Sequence, residues 1–126
     1  MQRLLLDTHV FIWCLSDVLK LAKGACTAIT DPRNTIFVSA VTGWELSIKR
    51  AKGRMTAPDN LIGMIEDKGF THLPLTFDHA EHAGNLPMYH RDPFDRFLVA
   101  QAQVEGLTLV TRDAYIPRYG IRTMPA

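Results

Sequence analysis

Two acidic residues each follow a short apolar run that has the composition of a buried strand. Asp7 comes directly after Leu4-Leu5-Leu6, and Asp113 closes the run Leu107-Thr108-Leu109-Val110-Thr111-Arg112. Three consecutive leucines predict a strand that is buried on both faces. Ligands of open α/β sheets bind at the edge formed by the carboxyl ends of the strands. We therefore expect the two acids to meet in one pocket at that edge.

A third acid, Glu45, lies on a helix predicted from Ala40 to Lys52. It falls on the same stripe as Val41, Trp44 and Ile48, which are spaced by three and four residues. A carboxylate on a stripe that faces the core is costly unless another group compensates it. Glu45 is therefore a candidate member of the same pocket.

The fourth acid, Asp95, lies in the first turn of the clearest predicted helix. Asp92 has the composition of its N-cap and Pro93 that of its first residue. Asp95 then shares the inward face of the helix with Leu98 and Ala102. Two helices and two strands thus direct one carboxylate each toward the same region.

Each of these acids also has an ordinary structural explanation. Asp7 and Asp113 could cap the segments that follow them, and Asp95 could interact with the positive end of its helix dipole. Glu45 could form an ion pair with Lys49, four residues further along the helix. Taken singly, these explanations are adequate, but together they account less well for four inward-facing acids.

Four carboxylates around one point require a cation or protonation. A single pair of like charges near 4 Å costs about 4 kcal/mol at an effective dielectric constant near 20. No cysteine or histidine set accompanies the four acids in the sequence, so the ligands are oxygen atoms, which suit Mg²⁺ or Mn²⁺ rather than Zn²⁺. The hydroxyls of Thr8 and Thr111 are placed to assist. Such a site is suited to phosphodiester hydrolysis by a metal-activated water.

Basic residues near these acids are candidate contacts for the phosphates of RNA. The net charge is only +1, but setting the four acids aside leaves a basic surface that could attract a polyanion. The alternative is that these residues form salt bridges or favour helix C-termini. The candidate RNA contacts are Lys49, Arg50, Arg91, Arg96 and Arg112.

The order of elements predicts one α/β domain over residues 1–126. We expect a central, mainly parallel, twisted sheet of about four to five strands flanked by helices. One helix is predicted from Ser16 or Asp17 to Thr30, another begins at Pro58-Asp59, and a strand at 71–75 is expected at the sheet edge because it contains Pro74. His79 and His82 could bind a metal, but two surface histidines are the preferred interpretation.

Composition indicates a globular protein without a membrane segment. The apolar fraction is 47%, and the two cysteines, Cys14 and Cys26, are expected to be buried free thiols. The longest apolar run is too short to span a bilayer, and no signal peptide is visible. We therefore expect a cytoplasmic protein.

Four motifs resemble those of PIN-domain ribonucleases of the VapC toxin family. They occur in the family's order over nearly the whole chain: Leu5-Leu6-Asp7-Thr8-His9, Ser39-Ala40-Val41-Thr42-Gly43-Trp44-Glu45-Leu46, His90-Arg91-Asp92-Pro93-Phe94-Asp95-Arg96-Phe97-Leu98-Val99-Ala100-Gln101-Ala102 and Leu109-Val110-Thr111-Arg112-Asp113. The resemblance implies a Mg²⁺- or Mn²⁺-dependent endoribonuclease, the toxin of a type II toxin–antitoxin module. It carries the family's catalytic and metal-binding acids onto Asp7, Glu45, Asp95 and Asp113. It also implies a VapB-like antitoxin and a homodimer.

Other interpretations of the same residues stay open. A HAD-type phosphatase would need an acid where His9 stands, and a flap-type DNA nuclease would usually need a longer chain. Another metal-dependent phosphoesterase, or a non-catalytic module that binds RNA or an antitoxin, would keep the fold. RNA cleavage that depends on the four acids would separate these alternatives.

Overall fold

A computed structural model describes residues 1–54 and 58–126. In these residues, five strands form one sheet in the order β3-β2-β1-β4-β5, and every neighbouring pair is parallel. The strands are β1 (Arg3–Leu6), β2 (Thr35–Ser39), β3 (Thr71–Leu73), β4 (Thr108–Thr111) and β5 (Thr123–Pro125). The predicted α/β fold with a central parallel sheet is confirmed, and so is the position of β3 at an edge.

Six α-helices and two short 3₁₀ helices connect the strands within the described residues. The α-helices are α1 (Thr8–Ser16), α2 (Lys23–Thr30), α3 (Ala40–Ala51), α4 (Leu61–Asp67), α5 (Phe77–Gly84) and α6 (Pro93–Glu105). The 3₁₀ helices are Val18–Lys20 and Ile116–Tyr119. No helix of the described chain combines the length and the apolar composition that a bilayer crossing requires.

The central strand β1 is buried on both faces, as its leucines predict. Leu4 and Leu6 belong to a core that includes Phe11 of α1, whereas Leu5 belongs to a second core that includes Leu98 of α6. All three leucines have no exposed surface. Helices therefore cover both faces of the sheet and leave the carboxyl ends of its strands as the open edge.

Two predicted helix starts are wrong. The chain between α1 and β2 does not form one helix, because Leu21 and Ala22 are extended and the Ala22 N–H donates to the Ala126 carbonyl at 2.9 Å. The helix expected at Pro58-Asp59 begins at Leu61 instead, where the Asn60 side chain accepts from the Gly63 N–H at 3.0 Å. In the first case, a contact with the far end of the chain overrides the local pattern.

His79 is not a surface residue, so the preferred interpretation of the histidine pair is wrong for this member. It is 1% exposed, its Nδ1 accepts from the Thr76 N–H at 3.0 Å, and its Nε2 lies 2.8 Å from a Glu105 carboxylate oxygen. His79 therefore takes the place that Glu or Gln usually has in a capping box. His82 is exposed, and Cys14 and Cys26 are free thiols as expected, the first of them buried.

Gly106 and Gly43 should respond in opposite ways to substitution by alanine. Gly106 ends α6 with φ +67°, whereas Gly43 lies inside α3, and an added Cβ would meet no atom within 4 Å at either site. We expect Gly106→Ala to lower the free energy of unfolding by about 1 kcal/mol. Gly43→Ala should raise it by about 0.5–1 kcal/mol. Urea denaturation measures both, and equal effects of the same sign would contradict the assignment.

Candidate metal centre

Asp7 and Asp113 follow the two strands at the centre of the sheet edge. Strands β1 and β4 are paired through Leu6 and Val110, and the Asp7 N–H extends this pairing by donating to the Val110 carbonyl at 3.1 Å. Asp113 comes two residues after the end of β4. The local sequence thus brings both acids to the carboxyl edge of the sheet, as predicted.

The Thr111 hydroxyl connects these two acids. Its Oγ1 donates to Asp7 Oδ2 at 2.5 Å and accepts from the Asp113 N–H at 3.0 Å. The other oxygen of Asp7, Oδ1, accepts from the Val10 N–H at 2.9 Å and thereby caps α1. Asp7 is only 6% exposed, so its orientation is fixed by hydrogen bonds on both oxygens.

Asp95 joins this group from the first turn of α6, and His90 lies between it and Asp113. His90 Nε2 is 3.1 Å from Asp95 Oδ2 and 2.7 Å from Asp113 Oδ2. In the part of the chain that the structure describes, these three residues are the group of potential ligands whose atoms all lie within 4.8 Å of one another. Asp7 and Glu45 are outside that compact group.

The sequence interpretation gave no role to His90, a single histidine that lies beside two of the acids. His90 precedes the N-cap of α6 by two residues, and its Nδ1 accepts from the Asp92 N–H at 3.1 Å. The sequence signal that could have found it is its place at the head of the motif that contains Asp95. Because Nδ1 accepts, the ring hydrogen is assigned to Nε2, which donates to Asp113.

Glu45 is buried and accepts from Thr8, the residue that follows Asp7 along the chain. Its Oε1 accepts from the Thr8 hydroxyl at 2.7 Å, and its Oε2 lies 2.7 Å from Lys49 Nζ. The Thr8 hydroxyl also lies 3.1 Å from that of Thr42. The ion pair that was the ordinary explanation for Glu45 therefore forms, and it neutralises a side chain that is 5% exposed.

Ionisation of Asp95 is strongly disfavoured. Burial and the nearby Asp92 raise the pKa of Asp95 to about 7, although His90 opposes the rise. Burial also raises the pKa of Asp7, against the hydrogen bonds from Thr111 and Val10. Partial burial disfavours ionisation of Asp113 as well, but hydrogen bonds from His90 and the Tyr115 N–H outweigh it, so the pKa of Asp113 is lowered. A cation near these groups would favour the ionised form of all three acids.

The arrangement fits a hard divalent cation. The compact group offers carboxylate oxygens of Asp95 and Asp113, and Asp7 is linked to Asp113 through Thr111. The His90 ring nitrogen carries its hydrogen on the side of the acids. Oxygen donors of this kind suit Mg²⁺ or Mn²⁺. The carboxylates are partly buried and outnumber the positive charges near them, and a bound cation would compensate this excess of negative charge.

The five candidate RNA contacts have different environments, and one of them is wrong. Arg96 is 9% exposed, and its guanidinium donates to the carbonyls of Ala83 at 2.8 Å, Pro87 at 3.0 Å and Leu86 at 3.1 Å. It therefore organises the chain between α5 and α6 and is not available to a phosphate. Its helix position alone did not reveal this, because the carbonyls lie at the end of α5 and in the loop that follows it.

The other four basic residues stay candidates. Arg91 is exposed, whereas Lys49 is paired with Glu45 and Arg50 donates to the Pro58 carbonyl at 3.0 Å. Arg112 donates to the carbonyls of Lys20 and Ala126 and lies over the ring of Trp13. Arg91 is thus the member of the set that is most accessible to an anion.

An aromatic pair lies next to two of the acids. Trp44 precedes Glu45 on α3, Phe94 precedes Asp95 on α6, and their ring centroids are 4.9 Å apart in an edge-to-face arrangement. The prediction that Trp44 belongs to the core is wrong, because the residue is 51% exposed. About half of the Trp44 side chain is therefore accessible to solvent.

The chain belongs to the PIN domain family, whose model matches residues 4–121. No curated protein sequence matches it. Among solved structures it is similar to a chain of DNA-bound VapBC from Salmonella typhimurium, with 21% identity, 98% of each chain covered and a TM-score of 0.71. A chain of VapBC2 from Rickettsia felis bound to a promoter DNA fragment gives 15% identity, 98% of each chain and a TM-score of 0.68. A chain of a toxin–antitoxin complex from Klebsiella pneumoniae is 25% identical, with 86% of this chain and 85% of that chain covered and a TM-score of 0.56.

Stability of the metal-free protein should fall as the pH rises from about 4 toward about 7 because of Asp95. Its folded pKa is about 7, above the ordinary value of 3.8, so between these values the folded chain holds a proton that the unfolded chain has released. We expect Asp95→Asn to flatten this dependence and to stabilise the protein at pH 8 by roughly 2 kcal/mol. Urea denaturation with a chelator present measures it.

The exposed Asp67 provides a control for the removal of one carboxylate. Asp67→Asn should leave the pH dependence of the parent unchanged. A parent protein that is equally stable at pH 5 and pH 8, or an Asp95→Asn protein with the same slope as the parent, would contradict the prediction.

Arg96→Met should destabilise the fold by roughly 3 kcal/mol, because it leaves several carbonyls of the 83–87 segment without a donor. Arg91→Met, at an exposed neighbouring position, is the matched control and should stay within about 0.5 kcal/mol of the parent. Urea denaturation compares them. If the two variants were equally stable, the structural role of Arg96 would be wrong.

Proposed function

We propose that the protein is a Mg²⁺- or Mn²⁺-dependent endoribonuclease that acts as the toxin of a type II toxin–antitoxin module. The observation that carries the proposal is the convergence of Asp7, Asp95 and Asp113 at one sheet edge, with the buried Glu45 bound to Thr8, which follows Asp7. These acids come from distant parts of the chain, and burial disfavours ionisation of Asp7 and Asp95. Carboxylates whose ionisation is made unfavourable by burial and by neighbouring acids are typical of a functional site.

In this proposal, the carboxylates of Asp7, Asp95 and Asp113 hold the ion, directly or through water. When bound, Mg²⁺ or Mn²⁺ lowers the pKa of a water and stabilises negative charge on the phosphoryl oxygens. Thr111 orients Asp7, and Thr8 orients Glu45, so that these carboxylates do not need to reorganise. Lys49 neutralises Glu45 at the side of the pocket.

Single-stranded RNA is the substrate that the surroundings favour. The exposed Arg91 supplies a charge for a phosphate, and the half-exposed Trp44 supplies a ring on which a base can stack. An unpaired strand presents both its phosphates and its bases to such a surface. Lys49, Arg50 and Arg112 are proposed as weaker contacts, because each is already engaged within the protein.

The proposed partners are a VapB-like antitoxin and a second copy of the chain. The support is the PIN domain family together with the similarity to chains of VapBC and toxin–antitoxin complexes. The antitoxin would block the acidic pocket, and the protein would act on RNA in the cytoplasm. The membrane has no part in this proposal.

Cleavage of a single-stranded RNA of mixed sequence tests the function. We expect the parent protein to cut it with Mg²⁺ or Mn²⁺ and to lose activity with a chelator. Asp7→Asn and Asp95→Asn should each reduce the rate by at least about a hundredfold, because each removes a proposed ligand of the ion. Glu45→Gln should also reduce it. Asp67→Asn, an exposed carboxylate on α4, should cleave like the parent.

The assay distinguishes the alternatives. Variants that melt cooperatively but cleave as fast as the parent would attribute the activity to a contaminant or to another site. A parent protein that binds the RNA without cutting it under any divalent ion would favour the non-catalytic module. Preferential cleavage of DNA of the same sequence would contradict the proposed substrate.

A further inference from the structure

We propose that His90 is a positioning residue, which holds Asp95 and Asp113 in the arrangement that binds the divalent ion. The inference rests on the proposed function, because it assigns a role toward the ion of that same site. It adds a residue that contributes a hydrogen-bond donor and is not one of the four acids. Three features of His90 support this role: the orientation of its ring, the contacts that restrain the ring, and the lone pairs that remain free on the two carboxylates.

The backbone fixes the orientation of the ring hydrogen. His90 Nδ1 accepts from the Asp92 N–H at 3.1 Å, so Nδ1 carries a lone pair and the hydrogen is on Nε2. Nε2 lies 2.7 Å from Asp113 Oδ2 and 3.1 Å from Asp95 Oδ2. The N–H donor therefore faces two carboxylates that would otherwise repel each other, and it is hydrogen-bonded to that of Asp113.

The position of His90 is itself restrained from several sides. Its backbone N–H donates to the Tyr119 hydroxyl at 2.9 Å, and this hydroxyl donates to the Pro87 carbonyl at 2.8 Å. The imidazole lies edge-to-face against Tyr115 with ring centroids 5.7 Å apart, and its side chain is 14% exposed. A ring held in this way keeps its donor directed at the acids with little loss of entropy on ion binding.

The contacts of His90 leave both carboxylates able to coordinate an ion. Asp113 accepts from His90 with Oδ2 and from the Tyr115 N–H with Oδ1 at 2.7 Å, whereas Asp95 Oδ2 has an electrostatic contact with His90 at 3.1 Å. Each carboxylate oxygen has two lone pairs, so one hydrogen bond to it leaves another lone pair for a ligand bond. Hydrogen bonds from outside to the ligating carboxylates are a regular feature of metal sites and raise the affinity for the ion.

Two other roles for His90 make different predictions. If Nε2 were itself a ligand, the ring would need its hydrogen on Nδ1 and would lose the bond from the Asp92 N–H. If His90 merely filled the place of the ion, its removal would strengthen ion binding. The positioning role predicts instead that ion binding weakens when the donor is lost and is rescued by another donor of the same reach.

The test is Mn²⁺ binding to the full chain by His90→Gln and His90→Met, measured by the electron paramagnetic resonance signal of free Mn²⁺. The two side chains have nearly the same length, but the Gln amide donates a hydrogen bond and the Met thioether does not. We expect His90→Met to weaken Mn²⁺ binding about 10- to 100-fold and His90→Gln to stay within about threefold of the parent. In RNA cleavage, saturating Mn²⁺ should restore most of the kcat of His90→Met.

Each outcome of the titration decides a specific statement. Equal or tighter Mn²⁺ binding by His90→Met would overturn the positioning role and leave the proposed nuclease intact. Equal weakening by both variants would overturn the assignment of the His90 N–H as the donor that matters. A parent protein that binds no Mn²⁺ would overturn both this inference and the proposed metal dependence. If thermal melting shows that His90→Met does not fold, His90→Ala takes its place in the comparison.

Discussion

Repulsion between neighbouring, partly buried carboxylates is the constraint on which the arrangement of the carboxyl edge depends. Asp7, Asp95 and Asp113 cannot all be ionised at low cost, because burial disfavours the charged forms of Asp7 and Asp95 and the acids lie near one another. Hydrogen-bond donors directed at the carboxylates stabilise their charged forms. These donors are the Thr111 hydroxyl, the His90 ring and backbone N–H groups at the ends of elements. Burial and the nearby Asp92 raise the pKa of Asp95 to about 7, and His90 does not offset them.

Structural and functional explanations of these acids are compatible. Asp7 caps α1 with one oxygen and is oriented by Thr111 with the other, and Glu45 pairs with Lys49 while accepting from Thr8. A carboxylate has enough lone pairs to serve a helix terminus and a ligand together. The ordinary interactions therefore do not compete with a metal centre, because they hold its ligands in place.

The motif from His90 to Arg96 combines several tasks within one loop and helix start. Asp92 caps α6, Asp95 faces the acids, and His90 bridges Asp95 to Asp113 across the sheet edge. Arg96 instead donates hydrogen bonds to backbone carbonyls of the chain segment that precedes the motif, and Arg91 is exposed. Seven neighbouring residues thus couple the position of the site to the stability of the connection between α5 and α6.

The sequence by itself determined strands β1 and β4, the starts of α3 and α6, the Asp92 cap and the arrival of Asp7 and Asp113 at one edge, because short-range patterns of apolarity and capping encode these features. Only the tertiary structure decided that His90 joins the acids, that His79 and Arg96 are buried and that Trp44 is exposed. Their partners or surroundings lie on other elements, and no local pattern records which distant groups will face a side chain. The physical reason is that burial and hydrogen bonding of a polar side chain belong to the packed assembly of elements rather than to any one of them.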